Sequence, residues 1–334
     1  MAVINVTPLM DITALIASDT VSPGDVLLLE DGLYFQTVNV TKKNIRIIAK
    51  GRNVVFYGNS RLLAAFVLSA VSGVEINGIT MQYYSESGVI IDSGNGNRIV
   101  NNKIVNMINY SITISSSSAN LLWKNDICNV YNGIRLFLAS TNNRIIENTV
   151  KDCYNDAFET FSEPDSNNVF ISNTAIGTRG YGMIIYGRNN LLLNNVLIDN
   201  GQGGVNINAG NNIIAINNIV KNSKLNGYFV FQHSNVYVGG NQIECNLREG
   251  MLILDENGIF QDNHIAYNGG YGISLATSAA NNLFLENTLK CNIPANIVER
   301  GIDNVLIGNA DKPCEPCELP GDKCDNPCKQ CNKD

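Results

Sequence analysis

The sequence predicts an all-β parallel solenoid, on three observations: an asparagine that returns about once every 23 residues, a large apolar residue at a fixed offset behind it, and short alternating apolar runs punctuated by Gly and Asn. The asparagine stands at Asn97, Asn120, Asn143, Asn168, Asn190, Asn212, Asn235, Asn257, Asn282 and Asn304, so nine steps cover 207 residues. Two residues later come Ile99, Leu122, Ile145, Phe170, Leu192, Ile214, Tyr237, Ile259, Phe284 and Leu306. Five residues after the first asparagine a second one follows in eight of the ten repeats, with Gly240 and Asp262 as the exceptions.

A repeat this short cannot bury an apolar face alone, so successive copies must stack over one continuous core. Leucine-rich repeats share the period but need several leucines at fixed offsets. Here Ile and Val alternate with polar residues, which reads as three short strands and three corners per turn. Asn suits the corners because it tolerates a left-handed backbone and its amide both donates and accepts. Stacked at the strand spacing of about 4.8 Å, such amides form ladders.

Taken in order, residues 8–18 space their apolar side chains for a short helix that closes the open end of the solenoid. Residues 22–34 read as turn, buried strand, turn. Irregular turns follow around 44–49 and 73–79, giving about twelve turns in all. The expected organisation is a cap over 1–20, a solenoid over 21–310 and a Cys-rich tail over 311–334.

The stretch 142–150, Asn-Asn-Arg-Ile-Ile-Glu-Asn-Thr-Val, and the stretch 272–275, Gly-Ile-Ser-Leu, resemble the repeats of the pectin-lyase-like superfamily. The resemblance runs over roughly residues 20–310 and implies a right-handed parallel β-helix. It implies little about activity, because that superfamily holds polysaccharide lyases, glycoside hydrolases, uronate epimerases, phage tailspikes and members with no known activity.

A formal net charge of −7 argues against a nucleic-acid partner, since binding phosphate needs a basic face. The apolar runs fall far short of the roughly 20 residues of a membrane span. The N-terminus has no basic segment followed by a long apolar stretch, so no signal peptide is recognised and cytosolic synthesis is expected.

Gly133, Gly182, Gly204, Gly227, Gly250 and Gly272 set the register of one strand per turn, each preceding an inward residue. Alternation then sends Ile90, Thr113, Arg135, Phe158, Ile184, Asn206, Phe229, Leu252 and Ser274 outward, followed by Asp92, Ser115, Phe137, Thr160, Tyr186, Asn208, Phe231, Leu254 and Ala276. Phe137, Phe158, Tyr186, Phe229 and Phe231 are therefore candidate binding residues for a polysaccharide or a protein partner, a second copy included. The competing readings are a segment lying over the face, or a register slip that makes these residues core.

One turn breaks the pattern. Over residues 151–166, Asp156 falls on the usual Gly position and Glu159 on a position that points inward elsewhere. The turn is two residues longer than the mean, so a bulge can re-aim Glu159 outward. Arg135 before it, and Arg179, Tyr181 and Arg188 after it, lie at similar offsets. Asp156, Glu159, Arg135, Arg179 and Tyr181 form a candidate catalytic set for acidic sugars: carboxylate or Tyr as proton acceptor, Arg to neutralise a uronate, paired carboxylates for acid–base work or Ca²⁺. A solvated acidic corner is the alternative. The stretch 154–159 faintly resembles the aromatic-Asp-Pro-His-Asp type of uronate epimerase motif but has neither Pro nor His, and the paired Asp with Gly-His-Gly of polygalacturonases is missing. The two histidines, His233 and His264, read as surface or corner residues.

Cys128, Cys153, Cys245 and Cys291 fall inside turns and read as small core or corner residues. Five more crowd the tail. Cys314, Cys317, Cys328 and Cys331 have the paired spacing of a four-thiolate Zn²⁺ site, while the odd count that Cys324 creates suits disulfide cross-linking to another chain. A Cys-rich end of this kind loosely resembles spore-coat proteins, which are cross-linked on a spore or cell surface. The leading expectation is a non-catalytic bacterial β-helix that binds carbohydrate or protein through its lateral face. A polysaccharide lyase or uronate epimerase acting on acidic glycans is the alternative, and a structural spacer the third.

Overall fold

The computed structural model describes residues 1–312, apart from the side chains of residues 232–234. The chain divides into two compact units, Met1–Thr174 and a second beginning at Ala175. Each is a parallel β-solenoid in which every turn adds one strand to each of three sheets. In the first unit a typical turn comprises Arg98–Val100, Lys103–Val105 and Tyr110–Ser115. The registers advance by whole turns: Arg98 pairs with Leu121, Lys103 with Asp126 and Tyr110 with Asn132. The second unit repeats the scheme, with Leu191 on Ile214, Val196 on Ile219 and Met183 on Val205. Among the described residues the second sheet counts 13 strands, which makes about 13 turns rather than the twelve expected.

The N-terminal end differs in detail from the expectation. The helix is confined to Ile12–Ala17, where the Asp11 side chain caps it by accepting from the Ala14 N–H at 2.9 Å. Residues 7–10 form a turn instead, with Met10 N–H donating to the Thr7 carbonyl. Ile12 and Ile16 are buried, and a strand the sequence did not suggest, Val3–Val6, precedes the helix and pairs with Val26–Leu29.

The asparagines form the expected ladders. In the first unit the amide oxygens of Asn120, Asn143 and Asn168 accept from the backbone N–H groups of Asn97, Asn120 and Asn143. A second ladder joins Asn102, Asn125, Asn148 and Asn173 in the same way. In the second unit the register differs by one residue from the sequence reading. The ladder there runs Asn195, Asn218, Asn241, Asn263, Asn287, Asn309, with no break at Gly240 or Asp262. Asn217, Gly240 and Asp262 occupy the preceding corner position, where φ is +54°, +64° and +55°. The same slip places Asn212, Asn235 and Asn257 at left-handed corners. Buried Ile213, Val236 and Gly258 take the ladder position there, and Ala215, Val238 and Phe260 are core in place of Ile214, Tyr237 and Ile259. Adjacent Asn-Asn pairs in the sequence hide which member turns inward. Only the coil-to-coil pairing decides it.

Substitution tests this assignment. Asn218→Ala removes the acceptor of the Asn195 backbone and side-chain N–H groups and the donor to the Leu192 carbonyl, all buried. At about 1–3 kcal/mol for each group left unsatisfied, it lowers the melting temperature by many degrees. Asn217→Ala costs only the left-handed backbone preference, about 1–2 kcal/mol. Equal losses in the two variants would refute the register.

Candidate active site on the first unit

The outward row of the third sheet in this unit reads Ile90, Thr113, Arg135, Glu159. Phe158 pairs with Ile134 and is fully buried, 6.5 Å ring to ring from Phe170, so it is core and not a binding residue. The cause is one extra residue. Tyr154 and Asn155 N–H still donate to the Val130 and Tyr131 carbonyls at the regular offset of 24. From Gly133 on the register is one residue longer: Gly133 N–H donates to Asp156 O and Ile134 N–H to Ala157 O, an offset of 23 where Asn129 N–H to Lys151 O spans 22. Because side chains alternate, one added residue exchanges inward and outward, and Glu159 emerges beside Arg135. It also means that Ala157, not Asp156, occupies the glycine position opposite Gly133.

A second extra length lies in the loop after Phe158–Thr160. Asp165, fully buried, accepts from Phe161 N–H, Ser162 N–H, Ser162 Oγ and Ser140 N–H at 2.7–3.1 Å. This fold of the loop sets the Phe161 ring 4.1 Å from the Arg135 guanidinium carbon. Tyr110 and Phe137 flank the same guanidinium at 5.2 and 5.3 Å, and Arg135 Nη1 donates to the Tyr110 hydroxyl. Three rings thus hold the cation from several sides.

Glu159 Oε2 lies 3.4 Å from Arg135 Nε and accepts from Asn132 Nδ2 at 2.9 Å. The carboxyl is only 5 % exposed, and burial pushes it up to about 7, against the pull of Arg135 and with a push from Asp156. Asp156 is buried at 7 % exposure. Thr113 Oγ1 and Asn132 Oδ1 beside the pair are buried without a hydrogen-bond partner, and Arg135 Nε makes only the ion pair with Glu159. Buried polar atoms are normally paired, so this cluster is a local exception in the repeat.

The other expected residues distribute as follows. Phe137 is half-buried beside Arg135. Arg179, exposed, and Tyr181, half-buried, belong to the second unit. There Tyr186, Phe229 and Phe231 are half-buried on the outward rows, with the two Phe rings stacked at 5.9 Å and Asn208 Nδ2 donating to the Tyr186 hydroxyl at 3.0 Å. His264 lies on the surface, 3.2 Å from Glu244, which also pairs with Lys221 at 3.0 Å; the side chain of His233 lies outside the described residues. Cys128 and Cys153 are free thiols, whereas Cys245 and Cys291 each take part in a disulfide, which their reading as plain core residues did not anticipate. Cys314, Cys317, Cys324, Cys328 and Cys331, and with them the Zn²⁺ and cross-linking readings, lie outside the described residues. Among the described residues no three His, Cys, Asp or Glu side chains gather as a metal site requires, the acidic turn suggested for Ca²⁺ included. None of their helices is long and apolar enough to cross a membrane. Tyr110, Asn132 and Phe161 carry no signal in the sequence, because Tyr110 meets Arg135 only when turns stack, and Asn132 and Phe161 take their roles from the inserted residues of the next turn.

A solenoid of three parallel sheets with buried amide ladders is a parallel β-helix, and this one carries a carboxyl–guanidinium pair on the outward row of its third sheet. The sequence matches the family described as right handed beta helix region over residues 31–197 and 166–310, and the chain belongs to that family. No curated protein matches it by sequence. Among solved structures it is similar to the A-module of an Azotobacter vinelandii mannuronan C-5 epimerase, with 15% identity, a TM-score of 0.74, and coverage of 91% of this chain and 94% of that one. It is also similar to a PL6 family polysaccharide lyase from Pseudopedobacter saltans, at 13% identity, TM-score 0.74 and coverage of 95% and 94%. A third similar structure is the catalytic unit of a GH87 alpha-1,3-glucanase from Streptomyces thermodiastaticus, at 14% identity, TM-score 0.70 and coverage of 92% and 68%. Identities this low establish the fold alone.

The raised Glu159 has a thermodynamic signature. Its folded value lies above the ordinary 4.5, so between pH 4.5 and about 7 the folded protein holds a proton that the unfolded chain has lost. Stability therefore falls as pH rises through that window and levels off above it. Glu159→Gln keeps an acceptor for Asn132 but does not titrate, so the slope of urea midpoint against pH in that window should flatten. An unchanged slope would show that Glu159 titrates normally.

Proposed function

We propose that the first unit acts on an acidic polysaccharide, by proton transfer at a uronate residue, with Glu159 as the base and Arg135 as the group that neutralises the sugar carboxylate. The observation that carries this reading is the buried, outward Glu159 carboxyl, raised to about 7 and set 3.4 Å from a guanidinium that three rings hold in place. A general base is most effective when its pKa lies near the working pH. The similar structures include a mannuronan epimerase and a polysaccharide lyase, which fits this reading better than a passive binding face.

The chemistry follows from the two groups. Glu159 takes the proton from the ring carbon that bears the uronate carboxylate, and the electron pair is left on that carbon and its carboxylate, where Arg135 offsets the added charge. Elimination of the glycosidic oxygen at the neighbouring carbon, which then takes a proton from water, gives a lyase product. Delivery of a proton from water to the opposite face of the carbanion, while Glu159 releases its own proton to solvent, gives the epimer. Asp156 acts on Glu159 as a like charge, holding its proton affinity up. Arg179 and Tyr181 are assigned no step.

A panel of polymannuronate, polyguluronate and polygalacturonate, followed by ultraviolet absorbance of unsaturated uronates and by nuclear magnetic resonance for epimer content, tests the proposal. Turnover is expected, and Glu159→Gln should lower kcat by about 10²–10⁴-fold. Asp156→Asn should move the rising limb of the pH–rate profile to lower pH. Full activity in Glu159→Gln would remove the assignment, and absence of turnover on every polymer would favour binding without catalysis.

A further inference from the structure

The corner that leads into the third sheet of the first unit carries a groove of about 460 Å³, lined by Tyr83, Asn106, Ile108, Asn129, Tyr131 and Tyr154 among others. Ile108, Tyr131 and Tyr154 come from three consecutive turns and occupy equivalent positions, each directly after a buried residue, Met107, Val130 and Cys153; Ile108 and Tyr154 N–H donate back to the Tyr84 and Val130 carbonyls, and Tyr131 N–H to that of Asn109. Their exposures are 58, 48 and 50 %, high for residues of this size. Beside them Asn106 and Asn129 sit at equivalent left-handed corners, and Asn129 Nδ2 donates to Asn106 Oδ1 at 2.6 Å. Tyr83 adds a ring at one end, packed edge-on against Tyr57 at 5.4 Å.

The fold does not demand aromatic rings at this corner. In the second unit the same position, directly after the buried Thr178, Asn200, Ser223, Asn246, Asn268 and Asn292, holds Arg179, Gly201, Lys224, Leu247, Gly269 and Ile293. The backbone at this corner is thus built with glycine, lysine or leucine as well as with tyrosine. Their spacing is that of the strands, about 4.8 Å per turn along the stacking direction, so a linear polymer laid along the groove meets the same chemistry at each step.

We infer that this corner groove binds a polysaccharide chain laid across successive turns, its sugar rings resting on Tyr131 and Tyr154 and its hydroxyls bonding the Asn106 and Asn129 amides and the phenols. A pyranose offers an apolar ring face and a polar rim, which is the match for a Tyr face beside an amide. The lining is uncharged, so the contacts it offers are to sugar rings and hydroxyls, and the carboxylates of an acidic chain would face away from it. A peptide strand finds no free edge, because the flanking strands are already paired from turn to turn. The groove adjoins the carboxyl cluster: Tyr131 precedes Asn132, the donor to Glu159, and Tyr154 lies two residues before Asp156. The inference rests on the proposed function only for the identity of the chain, and binding can be read without turnover.

The test compares wild type, Tyr131→Ala, Tyr154→Ala, the double variant and Glu159→Gln by affinity electrophoresis in gels containing polymannuronate, polygalacturonate, xylan or laminarin. Both tyrosines are exposed, so circular dichroism and melting temperature should not change. Binding to at least one polymer should weaken about threefold to tenfold for each ring removed and persist in Glu159→Gln. Tyr131→Phe should restore most of it. Where turnover is measurable, the tyrosine variants should raise KM and leave kcat unaltered. Tyrosine-dependent binding without turnover would sink the proposed function and support this groove. Turnover with KM unaffected by the double variant, equal retardation of the double variant and wild type, or binding to none of the four polymers, would overturn it.

Discussion

Everything on the surface of this protein depends on a hydrogen bond made by buried amides. At the ladder corners an Asn side chain accepts from the backbone N–H of its counterpart in the preceding turn, and its own amide donates to a carbonyl further back, as Asn148 does to Leu122. A turn of chain that reverses direction in the interior must satisfy its polar groups without water, and the amide does so with one acceptor and two donors. The ladder also holds each turn in register with the last. Register in turn decides the parity of every strand, and parity decides which residues leave the core.

The candidate site is a local change in that parity. Two extra residues fall between Asn143 and Asn168, yet the ladder continues across them, because Asn168 still accepts from Asn143. The surplus is taken up on either side of Phe158–Thr160. One residue at Asn155 turns Phe158 inward and Glu159 outward, and the rest makes the loop that Asp165 ties down and that carries Phe161 over Arg135. An interruption the ladder tolerates thus becomes a means of presenting a carboxyl and a caged cation on an otherwise repetitive face.

The electrostatics of that face run against simple pairing. A carboxylate beside a guanidinium is ordinarily held low, but Glu159 loses more hydration by burial than Arg135 returns, and Asp156 adds repulsion. Glu244 shows the opposite balance. Burial there raises the carboxyl, yet hydrogen bonds from His264, Gln242 and Lys221 outweigh it and leave it at about 2. The same residue type, on the same kind of strand, is a settled surface anion in one place and a proton acceptor near neutrality in the other. Environment, not identity, separates them.

The sequence by itself determined the solenoid, the amide ladders, the inward residues behind the glycines and the unusual character of the turn around Asp156, because a 23-residue period and alternating apolar positions are properties of the chain alone. It did not determine which of two adjacent polar residues enters the ladder at Asn217 and Asn218, nor that Phe158 is core and Glu159 is not. Those outcomes turn on a single residue of offset between neighbouring turns, and an offset is settled by hydrogen bonds between residues more than twenty positions apart. The rings around Arg135 and the tyrosine corner were equally hidden, since Tyr110, Phe137 and Phe161 meet, and Ile108, Tyr131 and Tyr154 align, only when turns stack.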